Sequence, residues 1–295
     1  MAKRTFVVEA DDRLDRAVAA ADVGLSRRRA RTLIAAGAVF VDGQRCRFTG
    51  HRIEAGARVV VHTEIDAAQE TKPDAAPPIL WQAADLVAVN KPPGLHVNET
   101  ETSARASVVS SWRGSLFVVH RLDRDTSGVL LVARTAKAAA AASALFERRL
   151  VEKNYWAVTV GAPTDTRIEA PIGADRRRPR ARAVRSDGKP SDTHLRLLGE
   201  HDGLAGVEAR PRTGRTHQIR VHLAHAGCPI AGDLLYGGPA ASRWNGEVMR
   251  WPRYMLHAAS LSFEWEGKPT CIHAPVPADF AGLAALGLPL PTDAP

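Results

Sequence analysis

Cysteine is scarce: Cys46, Cys228 and Cys271 are the only three in 295 residues. Three cannot complete a disulfide framework and none are spaced as metal pairs, so a stapled secreted scaffold and a zinc module are both excluded. Long apolar runs are missing too. Without a stretch of about 18 apolar residues, no transmembrane helix is expected. Residues 1–10 hold no apolar segment of signal-peptide length, and the expectation is a cytoplasmic protein that does not enter a membrane. There is no internal repeat of solenoid period.

What the chain does have is length and positive charge. With 295 residues it suits one small and one large domain, and at 45% hydrophobic content it can bury a sizeable core. Lys and Arg outnumber Asp and Glu by 40 to 32, a formal net charge of +8, and the sequence pI is about 9.8. A basic balance favours a polyanionic partner, usually nucleic acid, although charge alone also fits a merely soluble basic protein.

The first clear element is a helix over 26–37, with Ser26 as N-cap and Gly37 at its end. Ala30, Leu33 and Ile34 form its buried stripe, which leaves Arg27, Arg28 and Arg31 as a cationic face near the N-terminus. Cations repel the positive end of a helix dipole, so a phosphate would relieve them. Val39-Phe40-Val41 followed by Asp42-Gly43 reads as a strand entering a hairpin, and 58–62 as another strand. The polar, Ala- and Pro-rich stretch 67–78 has linker composition.

Beyond it, 86–89, 128–133, 154–160, 193–198, 207–210 and 261–263 read as strands. A helix capped by Thr135 is expected over 136–150, and one capped by Thr216 and stopped by Gly227 over 216–226. This order predicts an α+β protein. Its large domain has a mainly antiparallel mixed sheet flanked by helices, and its small N-terminal domain is α/β.

Two segments concentrate chemistry. In His120-Arg121-Leu122-Asp123-Arg124-Asp125-Thr126-Ser127-Gly128, polar residues lie between apolar strand-like runs, the kind of loop on which catalytic groups sit. Arg121 and Arg124 flank Asp123 and favour a charged carboxylate, which can act as nucleophile or base. The same residues also suit a turn whose Asp, Thr and Ser satisfy backbone groups, and spacing alone favours that reading. In 212–225, a Gly and two Arg precede a helix N-terminus, an arrangement that suits a phosphate. His217, His222 and His225 do not share one helix face, and no metal site is expected. The basic run 176–182 is either a solvated face or a phosphate contact.

The run 120–128 resembles the signature of the RluA-type pseudouridine synthases that act on large ribosomal RNA and tRNA. The blocks Asn90-Lys91-Pro92-Pro93-Gly94-Leu95, Lys153-Asn154-Tyr155-Trp156-Ala157, 212–225 with 232–237, and Leu256-His257-Ala258 follow in the family's order across residues 79 to about 280. Residues 1–66 resemble an S4 RNA-binding domain through Arg13-Leu14-Asp15, Ser26-Arg27, Gly37 and Val41-Asp42-Gly43. The usual Asn-Gly of that hairpin is replaced here by Asp-Gly.

The resemblance implies domains at 1–66 (S4-like) and 79–295 (catalytic), joined by the 67–78 linker. It implies a cofactor-free isomerisation of uridine in structured RNA, with large-subunit ribosomal RNA ahead of tRNA as substrate; a monomer is the default expectation, not something the resemblance implies. It makes Asp123 the catalytic carboxylate, with Tyr155 stacking on the flipped uracil and Arg220 pairing with Asp123. Arg121 would fill the space the base vacates and Ile219 would line the uracil pocket. Thr126, Ser127 and Gly128 complete the substrate-binding set by shaping the loop. Arg27, Arg28, Arg31, Arg215 and His217 would contact RNA. Two rivals remain: a non-catalytic S4-containing assembly factor, and a glycosidase using Asp123 and Asp125. Two carboxylates so close in one loop give no reason to expect the separation of about 5 Å or more that glycoside cleavage requires.

Overall fold

A computed structural model describes residues 3–21, 25–35, 38–42, 44–46, 50–62, 76–97, 107–112, 115–178 and 180–288. Contacts divide the chain into two compact units, Met1–Ala75 with Asn98–Ser111, and Ala76–Val97 with Trp112–Pro295.

In the first unit, helices Leu14–Ala20 and Arg27–Ala35 share one apolar cluster with a four-stranded antiparallel sheet. Its strand order is Lys3–Val7, Arg58–His62, Val39–Val41, Gln44–Cys46. Ala30, Leu33 and Ile34 are buried together as their spacing predicts, and the Ser26 hydroxyl accepts from the Arg29 N–H at 3.2 Å. Gly37 and Gly43, expected to end the helix and turn the hairpin, lie outside the described residues, as does most of the 67–78 stretch.

The cationic face carries its own counter-charge. Asp15 is fully buried and accepts from Arg13 Nε at 3.2 Å, Arg27 Nε at 3.2 Å and Arg31 Nε at 2.7 Å. Burial alone would raise the Asp15 pKa, but the hydrogen bonds from Arg31, Arg13 and Arg27 hold it below its ordinary value. The repulsion that a phosphate was expected to relieve is therefore met within the unit. Arg28 stays exposed.

The second unit is built on a ten-stranded sheet. Its path runs Arg167–Glu169, Asp192–His201, Leu204–Pro211, Glu152–Val160, Leu256–Trp265, Ser127–Ala133, Leu86–Lys91 and Ile79–Ala83. Lys268–His273 and Phe117–Val118 pair off this path. Among the described residues, every pairing in this sheet is antiparallel except one: Ser127–Ala133 meets Leu256–Trp265 in parallel, through Ser127↔His257 and Gly128↔Ala258. Separate apolar clusters lie on either side of this short seam, one including Val158, Val207 and Leu223, the other Val129, Leu131 and Leu261. The expected α+β fold with a mainly antiparallel mixed sheet is what forms.

The differences lie at element ends. The helix expected to reach residue 150 is Ala136–Glu147, because Arg149 turns left-handed at φ 60° and Leu150 N–H bonds back to the Leu145 carbonyl, closing a Schellman-type end. The strand expected at 261–263 extends over Leu256–Trp265. Thr216 is not a cap: the helix is Gln218–His225, preceded by His217 at φ 59°. Here the Gln218 side chain organises the entry, accepting from the Thr213 hydroxyl at 2.7 Å and the Arg215 N–H at 3.0 Å. Among the described residues, no helix is long and apolar enough to cross a membrane.

Candidate active site

The loop 120–126 enters the sheet at the parallel seam. His120 starts it from the core: its Nε2 accepts the Leu131 N–H at 3.0 Å and its ring stacks on Phe146 at 4.5 Å. Burial lowers His120 to about 3, so the neutral ring can accept. Leu122 is buried and Arg121 exposed on either side of the peptide leading to Asp123. Thr126 N–H closes the turn onto the Asp123 carbonyl at 3.2 Å.

The residues after Asp123 fix the loop. Arg124 makes a two-pronged pair with Asp125 at 2.8 Å on both prongs, so this sequence neighbour neutralises Asp125 and not Asp123. The fully buried Lys91 donates to the carbonyls of Pro92 and Leu95 at 2.9 Å and of Arg124 at 2.8 Å. Burial lowers its amine to about 7, while three carbonyls match the three N–H bonds of an ammonium.

Thr126 and Ser127 are buried, with Thr126 Oγ1 3.3 Å from the Tyr254 hydroxyl and Ser127 Oγ 2.9 Å from His257 Nδ1. Gly128 has φ +111°, and a Cβ there would stand 2.1 Å from the Ala258 carbonyl oxygen. Only glycine lets the strand enter the seam this closely. These three residues act from behind the loop, and their side-chain contacts are internal.

The cation facing Asp123 comes from far along the chain. Arg220 Nη1 donates to Asp123 Oδ2 at 3.1 Å. The other edge of the guanidinium forms a bidentate pair with Asp233, Nε at 2.7 Å and Nη2 at 2.9 Å. Its carbon lies 4.1 Å from the Tyr254 ring centroid and 4.9 Å from that of Tyr236. Burial would weaken the charge, but Asp233's hydrogen bonds and charge raise Arg220 above its ordinary value. The Arg220 and Asp233 side chains are 7% and 1% exposed and Asp123 is 25% exposed, so solvent reaches the assembly at Asp123.

His217 belongs to this wall. Its Nε2 is 3.7 Å from Asp123 Oδ2. Arg182 N–H donates to the Tyr236 hydroxyl at 2.9 Å, and that hydroxyl lies 2.6 Å from His217 Nδ1. Burial, reinforced by Arg220, lowers His217 despite the nearby carboxylate.

Tyr155 sits at a register shift between Asn154 and Tyr155, opposite Ala209 on one neighbouring strand and Ala258 on the other. A bulge re-aims a side chain, and small neighbours leave room for the ring. Burial and then the Asp123 charge raise the phenol pKa of Tyr155, and the same causes in the same order raise Tyr254.

The structure thus gathers Asp123, Arg220, His217 and Tyr155. Ile219 is buried in the adjoining core. Arg215 is half-buried, with Nε donating to the Pro190 carbonyl at 3.2 Å. Arg27, Arg28 and Arg31 belong to the first unit. In the basic run, Arg176 pairs with Asp187 at 3.2 Å and Arg178 with Asp175 at 2.8 Å, and Arg178 also donates to the Leu235 carbonyl. The histidines diverge: His222 is a core residue between Thr193 Oγ1 at 2.9 Å and the Ala170 carbonyl at 3.0 Å. Sequence reasoning assigned no role to Asp233, Tyr236, Tyr254, Lys91 or Arg253. Lys91, Asp233 and Tyr236 lie inside quoted sequence blocks, which was the available signal; Tyr254 and Arg253 had none.

Comparison with known proteins adds the chemistry. The RNA pseudouridylate synthase profile matches residues 85–225 and the S4 domain profile residues 12–59. The chain is 36% identical to ribosomal large subunit pseudouridine synthase D of Xanthomonas campestris, over 88% of this chain and 83% of that protein. It is 37% identical to an RNA pseudouridine synthase of Chloroflexus aurantiacus, over 91% and 87%. The solved structure of human RNA pseudouridylate synthase domain containing 1 superposes with a TM-score of 0.56 at 31% identity, covering 70% of this chain and 86% of that one.

Proposed function

The chain belongs to the RNA pseudouridylate synthase family, and on that premise we propose that Asp123 is its catalytic carboxylate and large-subunit ribosomal RNA its substrate. As an RNA pseudouridine synthase it is an isomerase: the bond from ribose C1′ to uracil N1 breaks, the base turns, and C1′ joins C5, whose proton leaves while N1 takes one up, with no cofactor consumed. The observation that carries the assignment is the contact between Asp123 and Arg220 at 3.1 Å, in which Asp233 holds the guanidinium from its other edge. Addition to the sugar or base, or removal of a ribose proton, each requires Asp123 as an anion, and Arg220 supports that state.

The target base must first leave the RNA stack. Arg121, exposed at the loop edge, fills the gap. Tyr155 stacks on the uracil, a contact that typically contributes about 1–3 kcal/mol, and Ile219 backs the pocket. Residues 1–66, matched by the S4 profile over 12–59, grip RNA with Arg27, Arg28 and Arg31, aided by Arg215 on the catalytic part. The 67–78 linker joins them to the catalytic domain at 79–295. The reading includes a monomer working in the cytoplasm. The substrate is supported by the name of the Xanthomonas relative, a large-subunit synthase.

The test is to incubate the protein with unmodified large-subunit ribosomal RNA and with bulk tRNA, then map pseudouridine in each. A new pseudouridine in the ribosomal RNA is expected. Product in tRNA alone would overturn the substrate assignment.

A further inference from the structure

Two buried cations hold consecutive carbonyls of the Asp123 loop. Lys91 Nζ takes that of Arg124 at 2.8 Å, and Arg253 Nη1 takes that of Asp125 at 2.9 Å. Arg253 is the more extensively bonded of the two. Its Nη1 also donates to the carbonyls of Leu256 at 2.8 Å and Tyr254 at 3.3 Å, and its Nη2 donates to Ser127 Oγ at 2.9 Å. Asp279 accepts from Nε at 2.7 Å and from Nη2 at 3.1 Å. The guanidinium has no N–H to spare. Its side chain is 5% exposed and its carbon lies 5.5 Å from the Phe280 ring centroid. The backbone of the same residue abuts Gly232, where a Cβ would come within 2.0 Å of the Arg253 carbonyl oxygen. Arg253 thus touches the Asp123 loop with its side chain and, with its backbone, the turn that presents Asp233 to Arg220.

Ion pairs add little net stability: a buried one is often matched by apolar residues of similar volume, and here Asp279 is 23% exposed. What this pair supplies is direction. Asp279 stands in the first turn of Ala278–Leu286, whose Phe280, Leu283 and Leu286 are anchored in the core. The carboxylate therefore fixes the plane of the guanidinium, and the guanidinium fixes the backbone from Asp125 to Ser127.

We propose that Arg253, oriented by Asp279, is a positioning residue for uridine isomerisation, setting the loop so that Asp123 stands against Arg220 in reactive geometry. This rests on Asp123 being the catalytic carboxylate. Neither Arg253 nor Asp279 touches substrate in this account.

The test uses the full chain with saturating ribosomal RNA. Single-turnover tritium release from C5-labelled uridine is measured with RNA affinity and far-UV circular dichroism for Asp279→Asn, Asp279→Glu, Arg253→Lys and an Asp123→Asn control. Misplacing a reacting group by about 1 Å can cost about a hundredfold, so Asp279→Asn and Arg253→Lys should lose about ten- to a hundredfold in rate while RNA affinity stays within about twofold. Asp279→Glu should regain most of the rate; a merely structural role would instead lower RNA affinity and the circular dichroism signal along with the rate. An inactive Asp123→Asn beside Arg253→Lys and Asp279→Asn at the wild-type rate overturns the positioning role alone. So does a rate loss matched by an equal loss of affinity. An active Asp123→Asn overturns the carboxylate assignment itself.

Discussion

Replacing Asp233 by Asn removes a charge while keeping the shape of the side chain, and the structure sets the size of the effect. Arg220 is 7% exposed and Asp233 1% exposed, joined by bonds of 2.7 and 2.9 Å. Removing one partner of such a pair leaves a buried charge uncompensated, at a cost of about 3–5 kcal/mol. Arg220 keeps Asp123 at 3.1 Å, and that carboxylate is one-quarter exposed, so the lower end, about 3 kcal/mol, applies. At about 2–4 °C per kcal/mol for a large domain, Tm should fall by about 6–12 °C.

Activity should fall as well, because the guanidinium loses the grip that aims Nη1 at Asp123. The assay pairs calorimetry with single-turnover tritium release, measured at a temperature where both proteins are folded. The double variant Asp233→Leu with Arg220→Met should be more stable than Asp233→Leu alone, yet inactive. An Asp233→Asn protein with wild-type Tm and rate would refute the reasoning that Asp233 supports the Arg220 charge.

Gly128→Ala should disrupt the parallel seam, since φ +111° and a carbonyl oxygen 2.1 Å from the new methyl leave no relaxed position; limited proteolysis of the 120–128 loop should accelerate and product formation fall, and an unchanged proteolysis rate with full activity would contradict this. Stability should decline on acidification: His120 and His257 are lowered to about 3 by burial, so below their unfolded pKa of about 6.5 the unfolded state binds more protons, and the loss is about 1.4 kcal/mol per pH unit for each. Guanidinium titrations at pH 7 and pH 5 should therefore differ by about 4 kcal/mol from these two residues, and equal stabilities would contradict their neutral burial. Replacing Arg27, Arg28 and Arg31 together should flatten the salt dependence of RNA binding; an unchanged slope would confine Arg27 and Arg31 to their pairing with Asp15.

The Asp123 loop stood out as a polar island between apolar runs, yet spacing alone favoured a plain turn, and only the order of the flanking sequence blocks singled it out. Asp233, Arg253 and Tyr254 were opaque for the opposite reason. Each gains its role from partners 13 to 128 positions away, Asp233 and Asp123 on Arg220, Asp125 and Ser127 on Arg253, Thr126 on Tyr254. No local pattern encodes such contacts. The same blindness affected Arg27 and Arg31, read as an unpaired cationic face because Asp15 lies 12 and 16 residues earlier. Sheet content was readable from β-branched runs, but the single parallel seam was not, since it is only two residue pairs long. Thr216 failed as a cap because Gln218 folds back over the turn, a side-chain contact that cap statistics do not anticipate.

The measurement that bears most directly on the whole account is tritium release from C5-labelled uridine in ribosomal RNA by Asp123→Asn beside the wild type. Wild-type protein should release tritium and leave pseudouridine in the RNA, while the variant binds the same RNA with similar affinity and releases none. Tritium release by the variant at the wild-type rate, or free uracil in place of pseudouridine from the wild type, would contradict it.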